Sequence, residues 1–370
     1  MHILYSTFGP PMSTQIRYLT PPLLGPANTS KTVTCYRPAR SKMPAMNALP
    51  LGKQILVNNY GHSGFGWIMA PGATSFVLNQ MQSLLPPGKV TSTSVTIVGA
   101  GIMGLMAAFY LIQRGFFKIT IVAEATSSLT SHNAVGFFSP SIELGKSWMT
   151  PDIEDIVRNS YHFYTNIIAS QYDAFASTSA QFLPMYIPKQ KKSAIVASPH
   201  PIADVTLDFG TGVSHQMVEQ HGGIIVHVEL MMQQLTRFLQ NHNVKFIQEK
   251  ISALSDIASP IVINAAGLGA KELVADDGLV PVQGHLIHLT NQPTTALNYL
   301  LMMDCEKAFT GTGFQVKRSL YWAPRRYPAT DTSSHGILGA TSIKGSDHQT
   351  PHTNEFNLIL ERSNSFFYGM

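Results

Sequence analysis

The sequence has few charged residues, and this limits the classes of function that it can have. Lys and Arg number 25 and Asp and Glu 21, so charged residues make up 12% of the chain, about half of their usual share in soluble domains. The net charge is only +4 and no long basic run occurs, which argues against nucleic-acid binding. A chain with 44% hydrophobic residues buries much of itself, binds a large apolar ligand or touches a membrane.

Cysteine is nearly absent, which bears on metals and on the compartment. Cys35 and Cys305 are the only two cysteines, and neither belongs to a CxxC or to a Cys/His pattern with metal-ligand spacing. We therefore assign no residue to a metal site. A chain without a disulfide framework is typical of a reducing compartment, and we expect the protein in the cytoplasm.

One strongly apolar run is long enough to raise the question of a membrane span. VTIVGAGIMGLMAAFYLI, from Val95 to Ile112, has 18 residues without a charge, and we find no second hydrophobic span elsewhere in the chain. Its first residues are β-branched, however, which favours a strand followed by a turn through glycines. We therefore expect no membrane span. The first fifteen residues lack a charged region followed by an apolar stretch, so no signal peptide is predicted.

A glycine fingerprint follows this strand and opens an apolar helix. It consists of Gly99, Gly101 and Gly104 in the GxGxxG spacing. The first glycine permits a tight turn, the second lets the backbone approach a pyrophosphate, and the third lets helix and strand pack closely. A second β-rich run, KITIVAE, ends on Glu124, twenty residues past Gly104. A carboxylate at that point can accept hydrogen bonds from the ribose hydroxyls of a dinucleotide.

The start of the predicted helix supplies the remaining part of a phosphate site. Ile102 and Met103 lie in its first turn, where backbone N–H groups have no intrahelical acceptor and the helix dipole favours anions. Strand, glycines, helix, second strand and terminal acid together predict a dinucleotide site. The motif by itself does not choose between FAD and NAD(P).

Further segments resemble the D-amino-acid oxidase family of flavoproteins. SSLTSHNAVGFFSP (Ser127 to Pro140), which contains Thr130 and Ser131, resembles the family segment that wraps the FAD phosphates and the flavin edge. SPIVINAAGLGAKELVADDGLVPVQGHLIHL (Ser259 to Leu289) resembles a family strand and glycine turn, with Ala266 and Gly267 at the turn. YWAP and GILGAT, near residues 321 and 336, resemble the substrate-domain strands over the flavin.

Two elements of the family stand in an unexpected place. An arginine–proline pair and a segment of the type NYGHxGxG should follow Thr341, but they occur at the front, as TCYRPAR (Thr34 to Arg40) and NNYGHSGFGW (Asn58 to Trp67). We interpret this order as a circular permutation. The front piece would join the fingerprint strand through LLPPGKVTSTS, and such rejoining is tolerated because domain termini usually lie close together at the surface.

The resemblance implies an α/β fold with two domains. One is a Rossmann-like FAD-binding domain with a parallel sheet, expected at residues 53–147 and 222–276. The other is a substrate domain with a mixed, largely antiparallel sheet, expected at residues 1–52, 148–221 and 277–370.

The resemblance also implies roles for two catalytic-site candidates. Arg37 would clamp the carboxylate of an amino-acid substrate over the flavin, a task that suits a bidentate guanidinium. The hydroxyl of Tyr321 would help to hold the same carboxylate. A second substrate-facing tyrosine of the family has no counterpart in FTGTGFQVKRS, which leaves the substrate open.

A glycine-rich loop would complete the flavin site. Its N–H groups and the following helix would face the pyrimidine edge of the flavin and stabilise negative charge there. Ser63 replaces a glycine and Phe65 a tyrosine of the family pattern, and IMAPGAT after the loop favours the glycine and sarcosine oxidase branch. The loop consists of Gly61, His62, Ser63, Gly64, Phe65 and Gly66.

The activity implied is oxidation of the C–N bond of an amino acid, with hydride transfer to FAD and hydrolysis of the imine to a keto acid and ammonia. Dioxygen would reoxidise the cofactor and form hydrogen peroxide. Three alternatives stay open: a glycine- or sarcosine-type amine oxidase or dehydrogenase, a FAD-binding protein without oxidase activity, and an NAD(P)-dependent enzyme. The resemblance leaves a homodimer open as well.

Overall fold

The computed structural model describes residues 15–86, 88, 92–142, 144, 148–189, 195–325, 335–345 and 350–370. Much of the predicted linker before the fingerprint strand, the first fourteen residues and parts of the expected domains lie outside these ranges. The helices are α1 (Gly66–Ser83), α2 (Ile102–Gln113), α3 (Pro151–Ile168), α4 (Val228–Asn241), α5 (Ala270–Leu273) and α6 (Asn354–Tyr368). The strands are β1 (Gln15–Tyr18), β2 (Thr29–Arg40), β3 (Ala45–Leu51), β4 (Gln54–Tyr60), β5 (Ser94–Val98), β6 (Lys118–Ala123), β7 (Phe137–Phe138), β8 (Ser141–Ile142), β9 (Ala180–Ile187), β10 (Ile195–Val196), β11 (Ile202–Asp208), β12 (Ser214–Val226), β13 (Lys245–Gln248), β14 (Ile261–Asn264), β15 (Leu279–Leu289), β16 (Leu300–Phe309), β17 (Gln315–Pro324) and β18 (Gly336–Lys344).

A six-stranded sheet carries the fingerprint. Its strand order is β13-β6-β5-β14-β4-β3, and all neighbours are parallel except the hairpin β3–β4. Strand β14 is buried along its whole length and β5 nearly so, as expected for parallel strands that are covered on both faces. This sheet confirms the predicted parallel layer.

The central strands of this sheet come from distant parts of the chain. β14 lies between β5 and β4, so that Asn264 is opposite both Val98 and Asn58. Parallel strands in this register end at the same edge, and the segments that follow them therefore meet there. An asparagine ladder crosses the edge, since the amide of Asn58 donates to Asn47 at 3.1 Å and the amide of Asn264 donates to Asn58 at 3.2 Å.

A ten-stranded mixed sheet forms the second layer. Its order is β1-β11-β12-β9-β16-β17-β18-β15-β2, with β7 paired to β12. Only the pairs β1–β11 and β9–β16 are parallel, so this sheet confirms the predicted mixed, largely antiparallel layer. Helix α6 packs on it, and its Glu355 forms a two-contact ion pair with Arg318 of β17 at 2.8 and 2.9 Å.

The apolar run that resembled a membrane span forms β5 and helix α2. Most of α2 is buried, from Ile102 to Phe109, and it packs between α1 and α4. Met231 and Met232 of α4 are also buried in this core. No helix in the described part of the chain combines the length and apolar composition that crossing a membrane requires.

The expected domain boundaries and the sheets do not coincide at every point. A boundary at residue 53 divides the hairpin β3–β4, and both of its strands belong to the six-stranded sheet. Likewise a boundary at residue 222 cuts β12, which is a strand of the larger sheet from Ser214 to Val226. The hairpin is not visible in the sequence because β3, AMNALPL, lacks a β-branched residue and contains a proline.

Candidate active site

One cavity of about 1290 Å³ lies between the two sheets. Drug-sized ligands occupy cavities of about 300 to 1,000 Å³, so this one takes a larger molecule. It is lined by segments that follow the parallel strands on one side and by strands of the larger sheet on the other. The site residues named from the sequence line it with one exception: Arg37, Gly61, His62, Ser63, Gly64, Phe65, Gly66, Gly99, Gly101, Ile102, Met103, Glu124, Thr130, Ser131, Ala266, Gly267 and Tyr321.

The exception is Gly104, which packs inside the fingerprint. A Cβ at Gly104 would collide with the carbonyl oxygen of Gly99, and a Cβ at Gly99 would collide with that of Ala265. Gly99 also has a φ of +112°, a conformation that other residues rarely adopt. These two positions therefore require glycine, and the chain can turn tightly from β5 into α2.

The first turn of α2 points into the cavity beside Ser131. Gly101 is the N-cap of the helix, and a Cβ on it would lie 3.2 Å from the Ser131 hydroxyl oxygen. That hydroxyl accepts a hydrogen bond from the N–H of Ile102 at 3.0 Å. The other N–H groups of this turn have no intrahelical acceptor, so the site suits an anion.

Two contacts tie the segment after Glu124 to the front of the chain. The indole N–H of Trp67 donates to the Ser131 carbonyl at 2.9 Å, and the Thr130 hydroxyl donates to the carbonyl of Tyr36 at 3.2 Å. Glu124 itself lines the cavity directly after β6. The segment around Thr130 and Ser131 is thus held between the fingerprint helix and residues from the front.

The glycine-rich loop crosses the cavity wall between β4 and α1. His62 is buried and forms an isolated bridge with Ala39 of β2. Burial lowers the pKa of His62 to about 3, so its imidazole is neutral at ordinary pH. Its Nε2 has no hydrogen-bond partner among the described residues, and His62 therefore braces the loop by packing.

Arg37 lies on β2 with its guanidinium in the cavity. Its Nη1 donates to the Ser342 hydroxyl at 3.2 Å, and its Nη2 donates to the carbonyl of Thr341. A Cβ at Gly284 would collide with the guanidinium, and one at Gly64 would lie 3.3 Å from Nη1. Two glycines therefore make the space that Arg37 occupies.

Tyr321 lies on β17 beside this arginine. Burial raises the pKa of its hydroxyl, while the charge of Arg37 lowers it. Its ring contacts Phe137 edge-on, with 5.3 Å between ring centroids. Tyr321 is therefore a neutral hydrogen-bonding group at the end of the cavity where Arg37 lies.

Sequence reasoning missed several lining side chains. Lys317 and Ser319 precede Tyr321 on β17 at alternating positions, and all three line the cavity with Ser342 of β18. Alternation along a strand puts such residues on one face, and this signal was present in QVKRSLYWAP. The position where the resemblance implied a second tyrosine is thus occupied by polar side chains.

The cavity fits a dinucleotide. One end of it combines glycines that leave no room for a Cβ, the open N–H groups of α2 and the acid after β6. This is the arrangement that binds a pyrophosphate and a ribose. Among the described residues, no group of three or more His, Cys, Asp or Glu side chains is placed to hold a metal ion.

A family model agrees with this site. Residues 94–369 match the DAO family, described as FAD dependent oxidoreductases. The match covers most of the 370 residues, and the chain belongs to this family. It is an enzyme of the FAD-dependent oxidoreductase class, and its cofactor is FAD.

Solved structures share the fold. Glycine oxidase from Bacillus cereus is 14% identical, with 74% of this chain and 77% of that chain covered and a TM-score of 0.53. Iminodiacetate oxidase from Chelativorans sp. BNC1 is 18% identical, with 74% and 79% covered and a TM-score of 0.53. Glycine oxidase from Geobacillus kaustophilus is 16% identical, with 74% and 77% covered and a TM-score of 0.51.

Proposed function

We propose that this enzyme oxidises the C–N bond of an amino acid or amino-acid-like amine and uses dioxygen as the electron acceptor. The observation that carries the proposal is the position of Arg37. Its guanidinium lies in the cavity that also contains the fingerprint glycines, and no carboxylate of the described residues pairs with it. A cation so placed binds the carboxylate of a small substrate.

The residues around Arg37 would orient that substrate. Ser342 and the Thr341 carbonyl occupy one side of the guanidinium, which leaves further N–H groups for two carboxylate oxygens. Tyr321, neutral because burial raises its pKa, would donate a hydrogen bond to the same carboxylate. Such fixed positioning supplies much of the rate enhancement in a reaction between two bound molecules.

The remaining predicted residues would hold the cofactor. Gly99, Gly101 and the N–H groups of Ile102 and Met103 would bind the pyrophosphate, and Glu124 the ribose. The loop from Gly61 to Gly66, with Thr130, Ser131, Ala266 and Gly267, would surround the rest of the molecule. FAD supplies the two-electron acceptor when bound, and neutral His62 would contribute no charge to it.

Two alternatives to this reaction remain, and a different measurement separates each of them from it. The neighbouring structures include enzymes described as glycine oxidase and iminodiacetate oxidase, so a glycine- or sarcosine-type substrate is the second candidate. A FAD-binding protein without oxidase activity is the third. Its support from the sequence was the missing second tyrosine, but polar side chains line the cavity at that place.

The test is substrate-dependent peroxide formation by the purified yellow protein, measured against single D-amino acids, L-amino acids, glycine and sarcosine. We expect peroxide with at least one of them and anaerobic bleaching of the flavin absorbance by the same compound. Bleaching without peroxide would point to a dehydrogenase. No bleaching with any amine would contradict the proposed reaction and favour a binding protein.

We also propose that the family order has been circularly permuted. The family match begins at residue 94, while β4, α1 and Arg37 precede it. Three contacts support a rearranged order: β4 pairs with β14, α1 packs on α2, and the Tyr368 hydroxyl near the end of α6 donates to the Pro22 carbonyl at 2.9 Å. The end of α6 thus lies beside the segment that leads into β2.

A further inference from the structure

Charge is divided between the two ends of the cavity. Three acids, Glu124, Glu249 and Glu272, and one cation, Lys250, line it where the six-stranded sheet and its connections form the wall. The strands of the ten-stranded sheet contribute two cations, Arg37 and Lys317, and no acid among the lining residues that the structure describes. The substrate end is therefore positively charged.

Lys317 lies on the same face of the ten-stranded sheet as the hydrogen bond from Arg37 to Ser342. β17 and β18 are antiparallel, and Lys317 lies directly opposite Ser342, whose hydroxyl accepts from Arg37 at 3.2 Å. Residues opposite each other in such a pair point to the same side of the sheet, with Cβ atoms about 5 Å apart. Lys317 and Arg37 therefore flank one serine in one cavity.

Neither cation has an acidic partner in the described part of the chain. The ion pairs of the structure use other arginines and lysines, and the bonds of Arg37 go to a hydroxyl and a carbonyl. Lys317 is exposed on the cavity side. Two like charges that share a cavity repel each other, and a ligand with two negative groups removes this repulsion.

We propose that the substrate is a dicarboxylic amino or imino acid. This inference rests on the proposed function and names its substrate class. Arg37 binds the carboxylate next to the reacting C–N bond, and Lys317, with the Ser319 hydroxyl beside it on the same strand face, binds the second carboxylate. The lysine stem has four rotatable methylenes, so the second carboxylate can lie at more than one distance from the first.

The test compares matched substrates on the FAD-loaded enzyme. Iminodiacetate is paired with sarcosine, D-aspartate with D-asparagine, and D-glutamate with D-glutamine, so that each pair differs in the second negative charge. We expect kcat/KM to be about 10- to 100-fold higher for the dianionic member of at least one pair, the factor that a hydrogen bond to a charged group supplies. Most of the difference should lie in KM.

The variant Lys317→Met removes the charge and keeps the length of the side chain. We expect it to abolish the preference within the pair, and Lys317→Glu to reverse it. Lys245→Met is the matched control, because Lys245 is also an exposed strand lysine, lies on β13 of the six-stranded sheet and does not line the cavity. This control should keep the preference.

Binding of malonate and of acetate to the same FAD-loaded proteins gives a second measurement that needs no turnover. We expect tighter binding of malonate, lost in Lys317→Met. Equal binding of the two ions, or an unchanged preference in Lys317→Met, would overturn the inference even if amines are oxidised. If no amine reduces the flavin while malonate is still preferred through Lys317, the proposed reaction fails and the dianion site stands.

Discussion

At the scale of single residues, the backbone explains which departures from the family pattern are tolerated. Ser63 stands where the family has glycine, and its φ is +52°. Left-handed backbone disfavours residues with a Cβ, by about 1 to 2 kcal/mol. The sequence shows the departure but not the angle, since the angle depends on how the loop between β4 and α1 is held.

Ser63→Gly should therefore not destabilise the protein. We expect the free energy of unfolding to stay the same or rise by up to about 1 kcal/mol, because the relief of strain opposes the greater freedom of glycine in the unfolded chain. Urea titration measures this. Ser63→Val is the comparison, and its β-branched side chain should lower stability; a stability loss with glycine as large as with valine would contradict the assigned conformation.

The family resemblance pointed to Arg37 and Tyr321 but not to Lys317, Ser319 or Ser342. The first two stand in motifs with a recognisable spacing. The others became candidates only when the register of β17 with β18 placed them opposite one another. Register depends on long-range pairing and is poorly specified by local sequence in a mixed sheet.

At the scale of elements, the fingerprint was predicted in full. β5, α2 and β6 have the expected order, and Gly115 after α2 has a φ of +83°, as a helix-ending glycine often does. The signal is strong because turn, helix start and close packing each demand a particular residue within one short segment. The hairpin β3–β4 was not predicted, since its first strand has no such local signal.

Gly101→Val should remove the cofactor without unfolding the chain. A Cβ at this position lies 3.2 Å from the Ser131 hydroxyl oxygen, and the two further methyl groups of valine would fill the space at the start of α2 that a pyrophosphate needs. The measurement is FAD content per protein by absorbance. Gly311→Ala, which has open space around it, is the control, and a Gly101→Val protein that purifies yellow would refute the assigned phosphate site.

Helix α6 should depend on its buried ion pair. The side chains of Arg318 and Glu355 are 5% and 3% exposed. Glu355→Gln therefore leaves the buried guanidinium of Arg318 without the negative charge of this partner. We expect a loss of about 3 kcal/mol in the free energy of unfolding. Glu154→Gln breaks the exposed pair with Arg158 and should change stability by less than about 0.5 kcal/mol. Equal effects of the two variants would show that the α6 contact contributes little.

At the scale of the whole molecule, the fold class and the two kinds of sheet followed from the sequence. The parallel sheet was expected from the resemblance to the D-amino-acid oxidase family, and the Val- and Ile-rich strands β5, β6 and β14 agree with a sheet that is covered on both faces. The exact domain limits were not, because β12 and the hairpin β3–β4 join their sheets through pairings between distant segments.

The proposed permutation predicts that the family order also folds. A relinked chain would start at Ser94, run to Met370, continue through a short Gly/Ser linker to Gln15 and end at Pro86. We expect it to bind FAD and turn over substrate like the natural chain, because the Tyr368–Pro22 contact already brings the joined segments together. A chain of residues 94–370 alone should bind no FAD. Full FAD binding by that shorter chain would contradict the role of the front piece.

The central claim is that Arg37, from the front of the chain, and the fingerprint around Gly99 serve one ligand cavity. Its most direct test is the flavin absorption spectrum during titration with malonate, compared between the natural protein and Arg37→Met. We predict equal FAD content in both proteins, with a saturable spectral shift in the natural protein and binding weakened about 100-fold or more in the variant. An identical shift at the same malonate concentration in both proteins, or loss of FAD from Arg37→Met, would contradict the claim.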